Sequence, residues 1–254
     1  MIGWRSTFAI YRNELSRFRR TIFGSLIAPV LTTSLYFIVF GAAIGGRMTA
    51  VDGIAYGAFI VPGLLMLTLL SESTSNASFG IYMPRFTGAI YELLSAPVGV
   101  AETLIGFVGA AALKALIIAG IILATATLFV DFSIAHPFLA VGYIVLVAAA
   151  FALFGFILGI WADGFEKLQI VPMLILMPLT FLGGTFYSIE MLGEPWRTVA
   201  QFNPIFYLIN GLRWTFTGSA DVPIGVAFAM TVGFLALCVA VIAVIFRTGW
   251  RLRG

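Results

Sequence analysis

Residues 17–44 read RFRRTIFGSLIAPVLTTSLYFIVFGAAI. Arg17, Arg19 and Arg20 are followed by Thr21–Ile44, 24 residues without a charge. A helix needs about 20 apolar residues to cross the hydrocarbon core of a bilayer. This run is long enough. It exceeds the roughly 7–15 residues of a cleaved secretory segment, and no small-residue cleavage motif ends it. It reads as a first span that stays, with a basic anchor on one side.

Working outward, five further stretches have the same character: about 54–76, 103–130, 138–162, 168–187 and 222–246. The chain is 61% hydrophobic and 10% charged, where a soluble domain is about a quarter charged. The apolar runs do not alternate, and open sheets cannot span lipid. The expected fold is an all-α membrane protein. Residues 1–20 form an N-terminal amphipathic helix and residues 21–254 a single six-helix transmembrane domain. Glu72 and Lys114 are the charges that fall within spans.

Loop charges orient the bundle. With the N-terminus inside, Arg5, Arg12, Arg17, Arg19, Arg20, Arg85, Lys167, Arg247, Arg251 and Arg253 face the cytoplasm, ten against Arg47, Arg197 and Arg213 outside. An even number of spans then puts both termini in the cytoplasm. Basic residues gathered at the chain ends suit an anionic membrane face rather than a nucleic-acid groove.

Three segments are not spans. Trp4, Phe8, Tyr11, Leu15 and Phe18 recur at helical spacing on one stripe, with Arg5, Arg12 and Arg19 along its flank. That pattern predicts a helix lying in the headgroup region; the alternative is a plain positive-inside anchor. Between Pro84 and Pro97, Phe86, Ile90, Leu93 and Leu94 share one face and Arg85, Thr87, Gly88, Glu92 and Ser95 the other. Proline suits a helix start and ends a helix further on, so a short cytoplasmic helix is expected. It either lies on lipid or docks a soluble partner. The third segment, about 188–221, is too apolar for an ordinary outside loop. Asn203 and Pro204 make a helix start and Gly218 a stop. The 14 residues Pro204–Thr217 are too few to span. They fit a re-entrant or interfacial helix.

No catalytic constellation is present. His136, the single histidine, lies at an outside turn, and Cys238, the single cysteine, lies in an apolar run. There is no phosphate-binding loop and no metal-ligand pair at helical spacing. Glu72 sits in the polar patch Ser71–Asn76, and Lys114 partway along the next span. Counted from the inner ends, their depths are roughly 12 and 18 Å at 1.5 Å per residue, so a pair is geometrically possible. Intramembrane ionisable groups are functional candidates by default. Glu72, Asn76 and Lys114 are therefore candidates for a transport path, against a structural ion pair or a Glu72 that reaches water. Gly41-x-x-x-Gly45 and Gly155-x-x-x-Gly159 permit close helix approach.

These pieces resemble the ABC-2 type exporter permeases, a group that includes permeases for nodulation lipo-oligosaccharide, O-antigen polysaccharide and anthracycline drugs. The matching residues are Phe59-Ile60-Val61-Pro62-Gly63; Arg85-Phe86-Thr87-Gly88-Ala89-Ile90-Tyr91-Glu92-Leu93-Leu94-Ser95-Ala96-Pro97; Pro178-Leu179-Thr180-Phe181-Leu182-Gly183-Gly184-Thr185-Phe186-Tyr187-Ser188; and Asn203-Pro204-Ile205-Phe206-Tyr207 followed by Arg213. The resemblance implies a multi-pass permease of the bacterial inner membrane. Such a permease pairs, usually as a homodimer, and binds two copies of a separate ATPase subunit that carries ATP and magnesium. No cofactor is then expected in this chain.

By position, Arg85, Phe86, Thr87, Gly88, Ile90, Glu92, Leu93 and Leu94 would form the coupling helix docking on that ATPase. Trp4, Phe8, Arg12, Leu15 and Arg19 would mark the interface helix. Asn203, Pro204, Tyr207 and Arg213 would belong to the extracellular re-entrant segment. Other function classes carry less of the sequence. A lipid-modifying enzyme needs a convergent His, Asp or Ser site. A secondary transporter or channel needs inverted repeats or broken helices, and none is read. A non-transporting sensor or scaffold remains an alternative. Cargo is not readable from the chain.

Overall fold

A computed structural model describes residues 4–20, 22–43, 50–51, 53–89 and 99–249. Helix α1 (Trp4–Arg20) leads into α2 (Ile22–Ala43). A short antiparallel ribbon follows, β1 (Ala50–Val51) against β2 (Ile54–Ala55), turning at Gly53 with φ 78°. Then come α3 (Tyr56–Thr87), α4 (Val100–Ala126) and α5 (Pro137–Trp161). The fifth span is composite: α6 (Phe165–Ile170), a π-helical turn Val171–Leu176, and α7 (Met177–Leu182). Short α8 (Trp196–Gln201) and α9 (Pro204–Thr217) precede α10 (Ile224–Thr248). Among the described residues six helical stretches are long and apolar enough to cross a membrane, so the chain is an all-α membrane protein as its composition requires.

The core gathers around α3, which contributes Phe59, Ile60, Leu64, Leu65, Met66 and Leu70 to the largest buried cluster. α3 is longer than expected. Its 32 residues span roughly 48 Å at 1.5 Å per residue, well beyond a ~30 Å hydrocarbon core. The polar patch that marks the expected end near residue 76 lies inside the helix, and Pro84 does not begin a new one. Arg85, Phe86 and Thr87 are its last turn, closed by Gly88 at φ 80° with its N–H on the Arg85 carbonyl. Pro84 forfeits one intrahelical hydrogen bond. With only three residues left in the helix, nothing forces a break.

α5 packs against α3 at backbone distance. A Cβ on Gly155 would come 2.2 Å from the Thr74 carbonyl oxygen, and one on Gly159 would come 2.4 Å from that of Ser78. Two small residues four apart on each helix thus interlock, as the Gly155-x-x-x-Gly159 spacing suggests. Gly41 meets nothing within 4 Å, and Gly45 lies outside the described residues. The fifth span starts at Phe165 and stops at Leu182, not at 168 and 187. It stops because Gly183 and Gly184 turn the chain, Gly184 with φ 87°. The π-helical turn was not read from the sequence. It coincides with Pro172, with Pro178 just beyond, where missing N–H groups loosen the helical ladder.

α2 is the peripheral span. Phe23, Ile27, Leu31, Leu35, Ile38 and Val39 are exposed along it, a face suited to lipid. α1 lies against α4, whose glycines make its seat: Ile10 fills the space over Gly106, and the Tyr11 ring lies over Gly109. Ser6 Oγ donates to Glu102 Oε2 at 3.3 Å, tying the start of α1 to the start of α4.

Candidate functional site

Glu72 and Asn76 are four residues apart on α3 and so share a face. Asn76 Nδ2 donates to Glu72 Oε2 at 2.9 Å and to the Glu72 carbonyl at 2.7 Å. From α4, Lys114 Nζ donates to Asn76 Oδ1 and lies 5.1 Å from the centroid of the Phe18 ring of α1. The three transport-path candidates therefore come together. The direct Glu72–Lys114 pair that their depths allow is not among the ion pairs of the described residues: the Asn76 amide stands between the two charges. Depth along a helix sets height only, and the rotation of α3 about its axis puts Asn76 in the gap.

The same cluster contains groups that sequence reading passed over. Glu14 and Arg17 of α1 form an ion pair at 2.6 Å, and the Arg17 guanidinium lies 5.7 Å from the Phe79 ring centroid. Both line, with Glu72, Asn76 and Lys114, a half-open cleft of about 350 Å³ between α1, α2, α3 and α4. Ser25 and Gln169 add polar edges. Burial pushes the Glu14 carboxyl above its usual range, opposed by Arg17 and then by Lys114. The available signal was the i, i+3 spacing of Glu14 and Arg17 beside the aromatic stripe. A net-neutral set of two carboxylates and two cations, partly buried between apolar helices, is a costly arrangement.

The remaining α1 residues divide by face. Trp4, Phe8, Arg12 and Arg19 are exposed, Leu15 is half-buried, and Thr7 and Phe18 are buried. The helix meets the bundle through Thr7, Ile10, Tyr11, Glu14 and Phe18, leaving Trp4 and Phe8 outward.

At the end of α3, Arg85 turns towards its own bundle. Its Nη1 donates to the carbonyls of Gly159 at 2.9 Å and Ile160 at 2.6 Å, the last turn of α5. A cation on the final carbonyls satisfies orphan acceptors and complements the helix dipole. Phe86 is exposed but packs edge-on to Phe165 at 5.2 Å. Thr87 Oγ1 donates to the Met83 carbonyl at 3.0 Å, and Gly88 caps the helix. Ile90, Glu92, Leu93 and Leu94 lie outside the described residues.

At the opposite end, Asn203 Oδ1 accepts from Ile205 N–H at 3.0 Å, capping α9, and its Nδ2 donates to the Leu179 carbonyl at 2.5 Å. Pro204 is the first helical residue. Tyr207 Oη donates to the Gln201 carbonyl at 2.9 Å. α9 is buried along most of its length rather than lying open at an interface. Arg213, 2% exposed, donates to the Gly184 carbonyl and faces Asp221 at 3.6 Å and the Phe59 ring at 4.0 Å. Asp221 accepts from Ser188 Oγ at 2.9 Å and from Ile189 N–H at 3.2 Å. The sequence reading missed Asp221. These residues hold the connection before α10 to α3 and α7, and they are separate from the Lys114 cleft.

Known proteins give the same answer as this architecture. The family model described as ABC-2 type transporter matches residues 5–217. The inner membrane transport permease YadH of Escherichia coli is 35% identical over 252 residues, 99% of this chain and 98% of YadH. Nodulation protein J of Azorhizobium caulinodans is 26% identical, covering 84% of this chain and 83% of that protein. Nodulation protein J of Rhizobium meliloti is 24% identical, covering 88% and 85%. The six apolar helices and these matches along nearly the whole length place the chain in the ABC-2 type transporter family, as a multi-pass inner-membrane transporter subunit.

Proposed function

We propose that this chain is the permease of an ABC exporter. It moves an amphipathic substrate outward, a lipid, glycolipid, oligosaccharide or drug, using ATP hydrolysed on a separate subunit. Two permease copies, identical in the simplest arrangement, would pair with two ATPases carrying ATP and magnesium. The observation that carries the reading is the charged cleft: Glu72, Asn76 and Lys114 meet between apolar spans of an ABC-2 family chain. A purely structural bundle has little reason to keep such costly groups half open.

The coupling role falls on the segment from Arg85 to Leu94. α3 delivers it, and Arg85 anchors its start on α5, so a partner pressing beyond Gly88 acts on two spans together. α1 is the second moving part, because its buried face reaches Lys114 through Phe18 while Arg12 and Arg19 stay outward.

Coexpression with an ABC ATPase encoded beside this chain tests the reading. The expected result is copurification with ATPase activity stimulated by substrate in lipid. Glu92→Arg should lower both retention and coupled activity, and the Arg12→Glu, Arg19→Glu pair should uncouple the complex. An ATPase that is not retained, or is indifferent to both changes, would overturn the assignment.

A further inference from the structure

We propose that the cleft between α1, α2, α3 and α4 binds a zwitterionic headgroup, with its anionic group at Lys114 and its ammonium at Glu72. The class of ligand follows from what the cleft's charges leave over. Glu14 and Arg17 engage each other at 2.6 Å and largely cancel. Glu72 and Lys114 do not pair; each instead touches one end of the same Asn76 amide. An ammonium has three donors. Lys114 gives one to Asn76 and sets its charge over the Phe18 ring. Glu72 accepts from Asn76 through Oε2, and a carboxylate has two oxygens with about four acceptor sites.

Acceptor capacity and donor capacity of opposite charge are thus presented side by side, one carboxamide apart. A simple anion would meet Lys114 but also the two carboxylates. A simple cation would meet Glu72 but also Lys114 and Arg17. A headgroup with a phosphate and an ammonium joined by a short bridge satisfies both ends at once. The volume of about 350 Å³ is at the lower end for small-molecule sites and suits a headgroup rather than a whole amphiphile. Ala28 and Pro29 of α2 line the cleft's apolar side. Ile27 and Leu31 continue that helix with exposed side chains, a surface along which acyl chains would run into lipid. Gln169 also lines the cleft, and its amide suits the phosphoester oxygens.

The shared chemistry is phosphoethanolamine-like. Its source is either a membrane lipid resident in the cleft or cargo of the same class, and only the second rests on the exporter reading. The test uses the full chain in nanodiscs of phosphatidylethanolamine and phosphatidylglycerol in equal parts, with retained lipid measured by native mass spectrometry. The expected result is retention of phosphatidylethanolamine enriched about tenfold over the bilayer ratio, which by the tenfold-per-decade affinity scale is a clear preference. Glu72→Gln, which keeps shape, should erase the preference, and Lys114→Gln should reduce retention of both lipids. Retained lipid at the bilayer ratio in the unaltered chain, or a preference unchanged in both variants, would overturn the proposal. Gly41→Ala, remote from the cleft, serves as the folding control. If the copurified ATPase and ATP release the retained lipid, it is cargo; if the lipid stays, it is resident. This binding readout needs no ATPase, so failure of the exporter reading and failure of the headgroup site are seen separately.

Discussion

The guanidinium of Arg213 lies 4.0 Å from the centroid of the Phe59 ring. One side of this buried cation is thus covered by an aromatic face and another by Asp221, 3.6 Å away. Asp221 is itself fixed by Ser188 and by the Ile189 N–H. A buried charge broken from its partner costs about 3–5 kcal/mol, whereas losing a cation–π contact costs about 0.5–2 kcal/mol. Asp221→Ala should therefore lower the thermal unfolding midpoint of the purified chain more than Phe59→Leu does. The opposite order would show that the Phe59 ring, with the core volume it fills, outweighs the Asp221 carboxylate.

The interlocked backbones of α3 and α5 give a sharper contrast. Gly155→Ala and Gly159→Ala force Cβ atoms within 2.2 and 2.4 Å of carbonyl oxygens. Overpacking of this kind costs about 1–3 kcal/mol. Gly41→Ala meets nothing within 4 Å and should be neutral or slightly stabilising, since alanine is the better helix former. Folded yield and unfolding midpoint read both. Equal behaviour of the three variants would contradict the packing.

Arg85 belongs to the segment expected to dock a partner, yet it donates to the last carbonyls of α5. Arg85→Ala should lower the stability of the isolated chain by about 1–2 kcal/mol, before any ATPase is added. A change confined to ATPase retention, with the unfolding midpoint of the chain alone unmoved, would return Arg85 to a purely docking role.

Glu14 makes the chain's stability depend on pH in a stated direction. Burial raises its carboxyl above the usual value of 4.5, against the pull of Arg17 and Lys114. The unfolded chain releases that proton first, so above 4.5 the folded state holds more protons than the unfolded state. Stability from this group is full below the unfolded value and is lost as pH rises through the raised folded value. Glu14→Gln has no such titration. The difference in unfolding midpoint between the two proteins should therefore change between the usual value of 4.5 and the raised folded value, and level off on either side. A constant difference would mean that Glu14 is not buried against the bundle.

Six spans were legible because length and hydropathy report directly on the bilayer. The seam at Gly155 and Gly159 was legible as a spacing, but the same spacing at Gly41 meets nothing within 4 Å, so spacing alone did not say which pair packs. The end of α3 was not legible. Pro84 and the polar patch Ser71–Asn76 are ordinary punctuation in water, but here tertiary contacts, Arg85 on α5 above all, hold the helix through them. The cleft was legible in Glu72, Asn76 and Lys114 and illegible in Glu14 and Arg17. Those two belong to a helix whose spacing suggests a partner in lipid. Which way α1 turns depends on the Gly106 and Gly109 seat on α4, and no periodicity within α1 encodes that. Asp221 was hidden for a different reason: Ser188 is remote from it in sequence, and Arg213, though near, meets it only because Gly218 ends α9 and turns the chain back.

The union of α3 with α5 limits how the protein can change shape. Thr74 on Gly155, Ser78 on Gly159 and Arg85 on the α5 carbonyls pin the two helices at successive heights. Close-packed backbones transmit displacement instead of absorbing it. The pair behaves as a single plank with no internal hinge. On the proposed coupling role, a push arriving beyond Gly88 would move this plank as a unit against its neighbours, α1, α2 and α4 among them. The cleft sits on one edge of the plank, so any widening of it requires α1, α2 or α4 to move relative to the plank.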